Sequence, residues 1–151
     1  PAKGNSAADA ALLLQNQLCF AVYSTALAFN SVYKPLLDKL HLTYPQYLAM
    51  LVLWEQDDVP VKDIGHLLHL DSGTLTPLLK RLESAGLVTR TRSSADERQV
   101  RITLTAAGRA LREQAKAVPA GIFQACGLST PTLLQLKDEL IELRDRLDAT
   151  A

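Results

Sequence analysis

The sequence predicts a mainly α-helical fold with a small β-hairpin wing, a winged helix-turn-helix, and three patterns point to it. Apolar residues at Val61, Ile64, Leu67 and Leu68, then at Leu75, Leu78, Leu79 and Leu82, mark two short amphipathic helices separated only by His69-Leu70-Asp71. Two β-rich runs follow at once, Leu87 to Arg92 and Val100 to Leu104, around the polar loop Ser93 to Gln99. Leu133, Leu136, Leu140, Leu143 and Leu147 then recur at alternating steps of three and four near the C-terminal end, a stripe suited to a subunit interface. The implied organisation is a single integrated domain: N-terminal helices over 1–42 for dimerisation, a winged helix-turn-helix DNA-binding region over 43–105, and C-terminal dimerisation helices over 106–151.

Taken in order, Ser6 with Asp9 reads as a capping box opening a long apolar helix that carries Leu12, Leu13, Leu18, Phe20, Val22, Tyr23, Ala26 and Leu27. Its apolar positions cover more than one stripe, which suggests burial on two sides, by its own domain and by a second subunit. Lys34-Pro35 is expected to open a short second helix, and Thr43 with Pro45 in the first turn a third, reaching about Glu55. Gly86 is expected to close the second helix of the helix-turn-helix in a left-handed conformation. Thr105 caps a helix running to about Val118, which Pro119 and Gly121 interrupt before a last helix from Ser129 or Thr130.

The composition, 48% hydrophobic and 21% charged over 151 residues, is that of an ordinary globular protein large enough to fold without disulfide staples. No apolar run is long enough to span a bilayer and the start PAKGNSAADA lacks the features of a signal peptide, so no membrane partner and a cytoplasmic location are expected. Cys19 and Cys126 form no metal-binding spacing, and no metal or cofactor is expected. The formal net charge of zero conceals an asymmetry: residues 80–112 hold eight basic side chains against three acidic ones, so this segment is +5 and the remainder −5. A basic block in an acidic scaffold can hold one surface against phosphates. A solvated helical face would carry the same charges.

With the four leucines of residues 75–82 inward, the opposite face presents Ser72, Thr74, Thr76, Pro77, Lys80 and Arg81 as DNA-binding candidates, hydroxyls for base edges and cations for phosphates or guanine. Pro77 requires the helix to begin at Thr76 or to have a distorted first turn. Arg92, Asp96 and Arg98 belong to the wing, where Asp96 can orient the Arg98 guanidinium toward a minor groove.

The stretch DSGTLTPLLKRLESAGLVTRTRSSADERQVRITLTAAG, with its Asp96-Glu97-Arg98 followed by Leu104-Thr105, resembles the MarR family of dimeric repressors. Within that family, QLCFAVYS and LTYPQYLAMLVLWE resemble the OhrR-like sensors of organic hydroperoxides. The resemblance implies a homodimer that is not an enzyme, binds double-stranded operator DNA when reduced, and releases it when organic hydroperoxides oxidise the cysteine that falls at Cys19. It also implies that Tyr33 and Tyr44 hydrogen-bond to the thiolate, with Tyr23 and Tyr47 left to the core. In two-cysteine members the sulfenic acid is resolved by a second thiol, here Cys126 of the partner subunit. The residues alone leave the point open, because a cysteine on an apolar helix is more often inert core. A repressor controlled by a small aromatic ligand, with structural cysteines, is the main rival. A thiol peroxidase would need a thioredoxin-like βαβ pattern, which is not visible, and a metal sensor would use His66 and His69 with an acidic neighbour such as Asp63 or Asp71, where surface histidines explain the pattern better.

Overall fold

A computed structural model of the chain describes residues 6–93, 95 and 98–151. The Ser6 hydroxyl accepts the Asp9 N–H and the Asp9 carboxylate accepts the Ser6 N–H, which starts helix α1 (Ala7–Ala11). The expected long helix stops there. A 3-10 turn, Leu14–Asn16, intervenes before α2 (Leu18–Asp38) begins afresh. The side-chain amides of Asn16 and Gln17 donate to the carbonyls of Ala10, Ala11 and Leu13, occupying acceptors that a continuing helix would give to its own N–H groups.

Pro35 opens no second helix, because α2 runs through it. A proline inside a helix removes one hydrogen bond; buried Leu37 and half-buried Leu36 anchor this turn in the core and hold it helical. Helix α3 (Tyr44–Glu55) starts with a capping box between Thr43 and Gln46 and with Pro45 in the first turn. A two-residue strand β1 (Val59–Pro60) precedes α4 (Val61–Leu68) and α5 (Ser72–Ser84). Asp71 caps α5, so the helix begins at Ser72 and passes through Pro77, not from Thr76. Burial of Leu75, Leu78, Leu79 and Leu82 outweighs the bond that Pro77 cannot make.

Gly86, at φ 77°, turns the chain out of α5. Strands β2 (Val88–Arg92) and β3 (Val100–Leu104) pair antiparallel, with Val88 opposite Leu104 and Arg92 opposite Val100. β1 adds to the free edge of β3, Val59 opposite Ile102, giving the order β1-β3-β2. β1 escapes a sequence reading because two residues carry no alternation, and its proline suits an edge.

The Thr105 hydroxyl accepts the Gly108 N–H and starts α6 (Ala106–Ala115). The break before α7 (Ala117–Cys126) falls at Lys116, not at Pro119. Pro119 lies in the first turn of α7, where N–H groups have no helical acceptor and a proline is tolerated. Helix α8 (Thr130–Asp148), capped by Ser129, completes the chain. A Cβ on Gly108 would run into the Leu87 carbonyl, so α6 lies directly against the start of β2.

The core gathers Leu37, Leu40, Tyr47, Met50, Leu53, Ile64, Leu75, Leu79, Leu82, Val88 and Ile102, with Ala115 and Val118 joining from α6 and α7. No residue of α1 or α8 is buried. Tyr23, assigned to the core from the sequence, is 63% exposed, because the N-terminal half of α2 projects beyond the winged helix. No helix of the described residues is long and apolar enough to cross a membrane.

Candidate functional site

The predicted sites form two groups. Cys19 occupies the first turn of α2 and is exposed; both cysteines are free thiols. Tyr33 lies on the same unbroken helix, fourteen residues further on, so about 21 Å of helical rise separates it from Cys19. Tyr33 meets Tyr44, from the first turn of α3, with ring centroids 4.7 Å apart, and Tyr47 closes the cluster at 6.0 Å from Tyr33 and 6.5 Å from Tyr44. One chain therefore brings the tyrosines together and leaves Cys19 far from them. The sequence reading left Tyr47 to the core, and at 3% exposure it is core as well as a member of this cluster.

The cluster is electrostatically distinctive. Burial, followed by the negative charges that Tyr44, Tyr47 and Cys126 would carry when ionised, pushes the Tyr33 phenol up to about 12. Burial raises Tyr44 too, and burial and then Tyr44 raise Tyr47. All three hydroxyls thus remain protonated at neutral pH, as hydrogen-bond donors without charge. Cys126, at the end of α7, is near enough for its charge to be felt at Tyr33. It also lines an apolar groove of about 270 Å³ with Phe29, Val32, Ile122 and Leu133. Of the two thiols of the chain, the one whose charge is felt at this cluster is Cys126, not Cys19.

The second group is the outer face of α5 and the wing. Ser72, Thr74, Pro77, Lys80 and Arg81 are exposed and Thr76 is half-buried, as expected of the face opposite the four buried leucines. The Asp71 carboxylate accepts the Thr74 N–H at 2.8 Å, a bond that fixes the start of α5 and lowers the Asp71 carboxyl below its ordinary range. Arg92 and Arg98 are exposed on the wing, and Asp96 lies outside the described residues. A groove of about 1050 Å³ runs between α4, α5 and the wing, lined by Ser72, Thr76, His66, Arg90 and Arg98 among others. His66 and His69 both border it, and among the described residues no group of three or more His, Cys, Asp or Glu side chains could hold a metal ion.

Arg90 was missed from the sequence. It shares the inward face of β2 with buried Val88, and a charged residue at an inward position of a strand was the available signal. The frame behind the wing was not legible either. The Trp54 indole N–H donates to the Gly108 carbonyl at 2.9 Å, Asp57 accepts the Leu104 N–H at 2.8 Å, and Arg101 Nε donates to Asp58 at 2.7 Å. These bonds fasten the C-terminal end of α3 to β3 and α6, while its N-terminal end carries Tyr44 and Tyr47.

Residues 31–114 match the family described as transcriptional regulator SarA/Rot. The chain is 52% identical to the organic hydroperoxide resistance transcriptional regulator of Bacillus subtilis over 89% of its own length and 91% of that protein's. Overoxidised AbfR bound to DNA, from Staphylococcus epidermidis, superposes with a TM-score of 0.74 at 40% identity, covering 91% of this chain and 95% of that one. The disulfide form of AbfR, also at 40% identity and covering 90% of each chain, fits less closely, with a TM-score of 0.61. Over nearly its whole length, then, the chain belongs to the MarR-type winged helix-turn-helix transcriptional regulators, in the group that includes the organic hydroperoxide resistance regulators.

Proposed function

We propose that this protein is a homodimeric repressor that holds operator DNA while Cys19 is reduced and releases it when an organic hydroperoxide oxidises that thiol. The observation that carries the reading is the division of the sensor: an exposed cysteine at one end of α2 and a shielded cluster of phenol donors at the other. In a dimer that pairs the bare half of α2 with a second copy, Cys19 meets Tyr33 and Tyr44 of the partner subunit. Their hydroxyls donate to the thiolate and keep its surroundings apolar, which favours a peroxide with an organic group over hydrogen peroxide. Uncovered apolar surface supports the dimer: Leu18, Phe20 and Leu27 on α2 and Leu136, Leu140 and Leu147 on α8 are exposed in the single chain.

The Cys19 thiolate attacks the terminal oxygen of ROOH. The S–O bond forms, the O–O bond breaks, and alkoxide leaves, taking a proton to become the alcohol; Cys19 is left as sulfenic acid. The Cys126 thiolate of the partner subunit then attacks that sulfur and hydroxide leaves as water, giving a disulfide between subunits. Within one chain the rigid length of α2 keeps the two cysteines apart, since Cys126 packs beside Phe29 and Val32. A bridge requires Cα atoms within about 7 Å. The reading heads reorient as the bridge closes, and the spacing of the two α5 helices no longer matches half-sites about one DNA turn apart. Ser72, Thr74, Thr76, Pro77, Lys80 and Arg81 enter the major groove, and Arg92 and Arg98 reach the backbone and the minor groove, with Asp96 orienting the Arg98 guanidinium.

Gel shifts of operator DNA with wild type, Cys19→Ser and Cys126→Ser, before and after cumene hydroperoxide, test this, with non-reducing electrophoresis alongside. Wild type is expected to release DNA and run as a linked dimer, and Cys19→Ser to stay bound. Equal release by Cys19→Ser would make the cysteine structural and transfer control to a small ligand.

A further inference from the structure

The groove between α4, α5 and the wing is lined by the guanidinium of Arg90, whose Nε has no hydrogen-bond partner among the described residues. The Arg90 backbone N–H is fixed by the Glu83 carboxylate at 3.0 Å, which pins this point of β2 to the last turn of α5. Its guanidinium is different: Nε is shielded from solvent and has no hydrogen-bond partner, and among the described residues the side chain makes no ion pair. An arginine is charged at every accessible pH, and a shielded charged donor left unpaired costs stability. Only Nε is shielded in this way; Arg90 lines the groove, and it is the two terminal nitrogens of its guanidinium that a partner arriving from outside can reach.

The surroundings identify the partner's charge. Lys62 and His66 from α4, Ser72 and Thr76 from α5, and Arg98 from the wing face the same groove of about 1050 Å³. Among the described residues two carboxylates border it: Asp71, which caps α5, and Asp148, which lies 3.8 Å from His69 Nδ1. A planar guanidinium among hydroxyls and other cations fits the tetrahedral oxygens of a phosphate.

We propose that Arg90 receives a backbone phosphate of the bound duplex, one that crosses the groove between the start of α5 and the wing. The proposal rests on the DNA-binding reading above. Arg90 then sets how firmly α5 is seated in the groove of the DNA and does not read sequence, because a phosphate contact is the same on every duplex.

The test measures affinities of the full-length dimer, wild type, Arg90→Gln and Arg90→Lys, for operator and for an unrelated duplex over a series of salt concentrations. Arg90→Gln is expected to weaken both duplexes alike, on the order of tenfold, and to lower the slope of log K against log salt by about one. Arg90→Lys keeps the charge and is expected to keep the slope. An unchanged slope in Arg90→Gln, or a loss confined to the operator, overturns the proposal while leaving DNA binding intact; a wild type that binds neither duplex sinks the DNA reading itself. If Arg90→Gln does not fold, wild type and Arg90→Lys are compared on operators with single uncharged methylphosphonates. One position is then expected to cost wild type more than Arg90→Lys, and equal costs at every position overturn the assignment. Inorganic phosphate titrated at constant ionic strength separates the two sources of the anion. No saturation at millimolar phosphate is expected, and saturable binding that competes with DNA would make this a free-anion site.

Discussion

The winged helix and the helices that flank it obey different rules. Between Leu37 and Leu104 the chain closes its own core: α3, α4 and α5 bury their apolar faces on one another and on the sheet, and Trp54, Asp57 and Asp58 tie the parts together. From residue 6 to 36 and from 119 onward no side chain is buried. The first region is finished as a single chain, whereas the second exposes apolar side chains such as Leu18, Phe20, Leu136 and Leu140. In the proposed dimer, the same second subunit that covers this surface also brings a cysteine to the tyrosines, so assembly and sensing depend on one interface.

The sharpest way to break the contrast is inside the winged helix. Gly108→Val places a branched side chain against the Leu87 backbone, which a side-chain rotation cannot relieve. We expect a loss of about 3 kcal/mol or more in urea unfolding, at every protein concentration. Next in size, Leu82→Ala empties a site that is 1% exposed and should cost about 2–5 kcal/mol. Leu140→Glu, at a position 40% exposed, should leave the fold of the single chain intact and shift sedimentation from dimer toward monomer. If the two variants behaved alike, the distinction between the regions would fail.

A smaller effect concerns pH. The folded Tyr33 phenol titrates near 12 against an ordinary value of 10.0, so the unfolded chain loses its proton first. The stabilisation is fully present below about pH 10 and is lost as pH rises toward 12. Melting temperatures between pH 9 and 12 should fall less steeply for Tyr33→Phe than for wild type; identical slopes would remove the shielded phenol cluster from the account. The smallest expected change is Asp71→Ala, which removes the cap of α5. Its melting temperature should fall slightly near neutrality, and the difference from wild type should vanish in acid as the wild-type carboxylate protonates.

Local chemistry made most elements legible. Thr43 with Gln46, Asp71, Thr105 and Ser129 each satisfy the unpaired N–H groups of the helix that follows, and these capping bonds act within three residues. The misreadings came where side chains reached further. Asn16 and Gln17 stopped a helix by bonding backward across the turn, and Pro35 stayed helical because Leu36 and Leu37 were held by the core. Arg90 is one charge of a basic block in the sequence, while the role proposed for it depends on a groove assembled from three separate elements.

What the amino-acid sequence determined by itself was most of the winged helix: periodicity, caps and turn residues are short-range forces, and they specify α3, α4, α5, β2 and β3 with little help from elsewhere, whereas β1 is defined by its pairing with β3. It also supplied the sensor's residue types. Only the tertiary structure decided how they are shared out. Helix α2 is unbroken over twenty-one residues, so its length separates Cys19 from the tyrosines of its own chain, and in the proposed function their association is left to a contact between chains.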